Sequence, residues 1–185
     1  MIKQNERSYD YFKSDVITIH GRFARYVDAM WKQNELTEDS RFERLLDLYA
    51  VAAAIGIKER ILLDEDNLTD EKRTIQVEQI AKEYRRFYSL LQVIILLDES
   101  RGLSPQDKAR MAFESSPKDE NIYRENMELF HKYARGGIEF LYNKLVARNV
   151  EIDDEFEVPK IANIMAFVEE ITHEGEATTI SSTKF

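Results

Sequence analysis

Two stretches of the chain have the spacing of a metal-ligand pair on a helix. Three positions separate Glu128 from His131, and the same interval separates Glu170 from His173. Di-iron bundles use two such E-x-x-H motifs plus a glutamate from each of two further helices, all pointing inward. Helical phase argues against that chemistry here. The apolar stripe around the first motif is Met127, Phe130, Ala134, Gly137 and Leu141. At about 100° per residue, Glu128 falls on the opposite face and His131 on the flank. The second motif lies where the chain turns polar. Both are read as surface residues, and no metal or other cofactor is expected. His20 adjoins Ile19 and lies near Phe23. Spacing gives it no acidic or nucleophilic partner, so it reads as a partly buried, hydrogen-bonded histidine.

Nothing else in the sequence points to catalysis. The chain has no cysteine, which removes thiolate metal sites and cysteine nucleophiles. No nucleophile elbow, phosphate-binding loop, glycine-rich dinucleotide turn or calcium loop occurs. The expectation is therefore a protein without enzymatic activity. A formal net charge of −9 disfavours a dominant nucleic-acid role, since an acidic surface repels phosphates. Lys82, Arg85 and Arg86 form a small basic stripe, read first as the wet face of an amphipathic helix. The acidic run Glu151, Asp153, Asp154, Glu155 and Glu157 reads as a solvated connection.

The elements that must carry these residues follow from apolar periodicity. Phe12, Val16, Ile19, Phe23, Val27 and Met30 predict a helix within 8–31, although Gly21 and the β-branched cluster Val16–Ile19 also fit a short strand. Ser40 is a candidate cap for a helix carrying Phe42, Leu45, Leu46, Tyr49, Ala52 and Ala53. That helix is uncharged on every face from Leu48 to Ile57, and reads as the central, buried one. A long helix is expected over 75–97, ending before Gly102. Ser104-Pro105-Gln106-Asp107 and Ser116-Pro117-Lys118-Asp119 each place serine at a cap, proline at the first helical position and an acid at the third. They predict a short helix over 105–114 and a longer one over 117–146. A last helix is expected over 159–171.

These elements predict an all-α fold, a compact single-domain bundle of five to six helices spanning 1–172, with 173–185 as a mobile C-terminal tail. Glycine and proline number only six and three, which favours helix over a turn-rich sandwich. No apolar run approaches the roughly 20 residues needed to span a bilayer. With no signal-like N-terminus and no cysteine, a cytoplasmic location is expected. Gly136 and Gly137 are hardest to treat as incidental, because each glycine inside a helix costs about 1 kcal/mol relative to alanine. With Tyr133 they are the candidates for close packing or for contact with another protein.

Two segments resemble a known family. Phe42–Gly56 is similar to an aromatic-led helix ending in A-A-x-G, and Leu129–Leu141 to an F-x-x-Y-A-x-G-G-L-E-x-L helix with Ile138 in place of leucine. Both belong to a small accessory family found beside DNA phosphorothioation (Dnd) modification and restriction gene clusters. The matching segments cover under a fifth of the chain. The resemblance implies antiviral defence and no catalytic residues. It implies an accessory subunit acting through protein–protein contacts in a hetero-complex with a larger nuclease or ATPase encoded nearby, phosphorothioation-linked or of the SMC type. Nucleic acid would be touched indirectly or weakly, and membrane not at all. The alternative is a helical regulator binding DNA through a local basic patch.

Overall fold

A computed structural model describes residues 9–13, 16–31, 40–114, 116–148 and 159–181, with backbone alone at 159 and 174–181. The acidic run 151–157, the polar loop 33–39 and the last four residues of the expected tail lie outside them. The chain divides into two compact units, Met1–Phe140 and Leu141–Phe185. The described residues are mostly helical, in the order β1 (Ile17–His20), α1 (Gly21–Asp28), α2 (Leu45–Lys58), β2 (Lys72–Ile75), α3 (Val77–Lys82), α4 (Tyr84–Leu97), α5 (Pro105–Phe113), α6 (Glu120–Tyr142), a π-helical turn (Asn143–Ala147) and α7 (Pro159–Ser181). The expectation of a strictly all-α bundle of five to six helices is thus corrected. The described residues hold seven helices and a two-stranded antiparallel sheet.

The sheet takes the β-branched cluster of the first segment. Ile17 pairs with Ile75 and Ile19 with Arg73, so both isoleucines point one way into the core. Gly21 then turns the chain into α1 with φ of +56°, and a Cβ there would lie 2.3 Å from the Asp66 carbonyl oxygen. Both the angle and the space demand glycine. The Arg22 amide at the start of α1 donates to Asp66 Oδ2 at 2.8 Å. A carboxylate from a distant loop thus satisfies a helix amide left open by the local sequence.

Three predicted helix starts move, each because a neighbour competes for the backbone or the cap. α2 begins at Leu45 rather than after Ser40, because the amides of Arg41 and Phe42 donate to the Met30 carbonyl and tie this stretch to the end of the first segment. The long helix expected from Ile75 begins at Val77, since Ile75 belongs to β2, and it breaks at Glu83 into α3 and α4. α6 begins at Glu120 rather than Pro117. The Ser116 hydroxyl donates to Asp10 Oδ1 at 2.5 Å, and Asp119 takes over the cap, accepting from the Asn121 amide at 2.8 Å. α5 follows its signal, with Ser104 Oγ accepting from the Asp107 amide at 3.1 Å.

The core of the first unit gathers Phe12, Phe87 and Phe130, all fully buried, with Phe12 edge-on to Phe130 at 5.0 Å between ring centres. Phe12 lies in a turn with φ of +61°, not in a helix. In the second unit the π-helical turn packs on α7. Asn163 Nδ2 donates to the carbonyl oxygens of Leu145 and Arg148, while Lys144 and Arg148 both pair with Glu170. α7 continues to Ser181, ten residues past the expected end at Ile171.

Candidate functional site

The two segments carrying the resemblance meet. α2 contributes Ala52 and Gly56, and α6 contributes Tyr133, Gly136 and Gly137. A Cβ on Gly137 would lie 1.7 Å from the Ala52 carbonyl oxygen, and one on Gly56 would lie 1.9 Å from that of Tyr133. Gly136 faces the backbone just past α2, where a Cβ would lie 2.0 Å from the Ile61 carbonyl oxygen. All three glycines are there because backbone meets backbone. At these positions the near neighbours are residues of this chain.

Tyr133 leaves this seam through a buried polar network. Its hydroxyl donates to Asp98 Oδ1 at 2.8 Å, and Asp98 is itself 1% exposed. The same carboxylate accepts from the Ser100 amide and hydroxyl and from Arg101 Nε. Burial raises the Asp98 pKa, but these hydrogen bonds outweigh it and hold the group below the ordinary carboxylate value. Arg101 Nη1 donates onward to Asn126 Oδ1 at 2.8 Å, and Asn126 Nδ2 donates to the Tyr11 hydroxyl at 2.8 Å. Burial raises the Tyr133 and Tyr11 phenols. The network joins the N-terminal turn, the end of α4 and α6 as a tertiary clasp. Sequence reading missed it. Its one local signal is Asp98-x-Ser100, an acid two residues before a serine at a helix end, which makes an Asx turn.

Neither E-x-x-H motif forms a metal site. Glu128 is paired with Arg135 at 2.5 Å, and His131 Nδ1 lies 2.7 Å from the Tyr49 hydroxyl. Desolvation pushes the His131 pKa down to about 4, helped by Arg135, so the ring is neutral near pH 7. His131 is thus half-buried and hydrogen-bonded, not a surface residue as its phase suggested. Glu170 is engaged by Lys144 and Arg148, and His173 is exposed. No group of three histidine or acidic side chains placed to hold a metal occurs among the described residues. His20 lies 3.5 Å from Glu65.

The basic stripe is interleaved with acids. Of its members Arg86 pairs with Asp47 at 2.6 Å, and the neighbouring Arg44 joins Asp47 and Glu83. No described helix is long and apolar enough to cross a membrane. No protein-family model matches the chain, and no curated protein or solved structure matches it.

An exposed apolar surface lies on α7. Along α7, Ile161, Met165, Val168 and Ile171 are 51%, 53%, 55% and 42% exposed. Steps of four, three and three place them on one side of the helix. The opposite side carries the buried Ala162 and Asn163.

Proposed function

We propose that this protein is a non-enzymatic accessory subunit of a prokaryotic antiphage defence system. It acts through protein–protein contacts with a larger nuclease or ATPase, in a phosphorothioation-linked or SMC-type complex. The apolar stripe of α7 carries this reading. Single exposed apolar residues are ordinary, but four in register on one helix form a surface suited to a partner's groove. The engagement of Glu128 by Arg135, of His131 by Tyr49 and of Glu170 by Lys144 and Arg148 supports it too. So does the likeness of Phe42–Gly56 and Leu129–Leu141 to the phosphorothioation-associated family. Nucleic acid would be reached through the partner.

Co-purification with the products of adjacent genes tests the reading. Met165→Asp combined with Val168→Asp places two charges on exposed positions. It is expected to leave the melting temperature within about 2 °C, since surface changes cost little, and to abolish co-purification. Retention of the partner by this variant would remove α7 from the reading. Wild-type protein that protects its host alone and captures nothing would defeat it.

A further inference from the structure

In the second unit an unusual turn sits beside a lightly held helix. α6 ends at Tyr142, and Asn143–Ala147 continue it as a π-helical turn. Such a turn bonds an amide to the carbonyl five residues back, a rare pattern found mostly as single turns and often at functional sites. Asn143-Lys144-Leu145-Val146-Ala147 gives no local reason for it. Lysine, leucine and alanine are good α-helix formers, and neither glycine nor proline interrupts the run. By propensity the segment would extend α6 as an α-helix. The cause of the wider turn lies on α7. Asn163 Nδ2 donates to the carbonyl oxygens of Leu145 at 3.4 Å and Arg148 at 3.0 Å. Glu170 pairs with Lys144 at 2.7 Å and Arg148 at 2.6 Å. These contacts grip both the backbone and the side chains of the turn. The apolar hold is slight. Of the side chains described on α7, Ala162 and Asn163 are the buried ones, while the larger Ile161, Met165, Val168 and Ile171 face outward. Little apolar area therefore opposes release.

We propose that residues 143–147 are a two-state segment, π-helical while α7 is seated on them and α-helical once α7 lifts away to enter a partner's groove. The trigger rests on the reading of α7 as the partner-binding helix. A groove that embraces more of α7 than its outer stripe competes with the turn for Ala162 and Asn163. It binds the lifted helix better, and that difference in affinity shifts the equilibrium. Capture of a partner is thereby passed to the end of α6 as a change of hydrogen-bond register.

Scalar couplings through hydrogen bonds show which carbonyl each amide of 143–148 binds, and amide hydrogen exchange follows α7. Both are measured on the full chain without a partner, so their outcome is separate from that of the co-purification. In wild type the amides that close the turn are expected to couple five residues back. Asn163→Ala is expected to speed exchange along 160–173 at least about tenfold, as loss of two hydrogen bonds implies. It is also expected to move those couplings to carbonyls four residues back. Glu170→Gln, which removes the charge and keeps the shape, acts in the same direction, as does salt at about 1 M, which screens the pairs. Faster exchange with the five-residue coupling kept would overturn the proposal, because the turn would then hold its form without α7. So would unchanged exchange in both variants, or four-residue coupling already in wild type. Loss of every coupling at 143–148 in the variants would overturn it too, since the segment would then unfold and not switch.

Discussion

At the scale of single residues, His131 shows how burial replaces chemistry. Its folded pKa of about 4 lies below the ordinary histidine value of 6.5. Between these values the unfolded chain binds a proton that the folded one does not, so stability is fully present above pH 6.5 and falls as pH drops toward 4. Each unit is about 1.4 kcal/mol. Allowing for the ring's partial exposure, a loss of about 2 kcal/mol is expected across that window. Urea midpoints measured from pH 7 to pH 4 should show the slope in wild type and its flattening in His131→Gln. An unchanged slope in the variant would place the titrating group elsewhere. Asp98 acts in the opposite pH region. Its pKa is held below 3.8, so the stability it adds is lost only in stronger acid. Neither behaviour was legible in the sequence, because Tyr49 and Tyr133 reach these groups from far along the chain.

At the scale of elements, the seam between α2 and α6 sets the tolerance of the fold. Gly137→Ala gains about 1 kcal/mol of helix propensity but forces two backbones apart. We expect a net loss of about 3 kcal/mol by urea denaturation. Gly102→Ala is the control. Nothing lies within 4 Å of its Cβ, and only the φ of +64° opposes it, so about 1 kcal/mol is expected. Similar losses for the two would show that crowding at Ala52 is not the decisive term. The apolar period made α2 and the stripe of α6 legible, the Ser104 capping signal made α5 so, and the glycine pair announced a close approach. The partner of that approach was not legible, because helical spacing gives the face of a residue and not its neighbour across space. The sheet was legible only in part: the β-branched cluster Val16–Ile19 fitted a short strand, but its pairing partner did not show. Four residues give almost no periodic signal, and Ile17 is paired with Ile75, far along the chain. At Ser116 the local capping signal was sound, but Asp10 took the hydroxyl.

At the scale of the whole molecule, the division into Met1–Phe140 and Leu141–Phe185 separates tasks. The first unit holds the aromatic core and the glycine seam, and the second presents the α7 stripe. A chain ending at Phe140 is expected to keep a cooperative urea transition, with a smaller slope because less surface is exposed on unfolding. Gradual loss of helix without a transition would show that the two units unfold as one. The seam also has a consequence for synthesis. Ala52 leaves the ribosome 85 residues before Gly137 (137 less 52). At about 5 to 20 residues per second, α2 waits roughly 4 to 17 s for the helix that covers it. Throughout that interval the nascent chain displays an alanine- and leucine-rich surface that only a later segment can cover. Its most vulnerable moment therefore comes before the protein is complete, and chaperones at the tunnel exit would encounter it there.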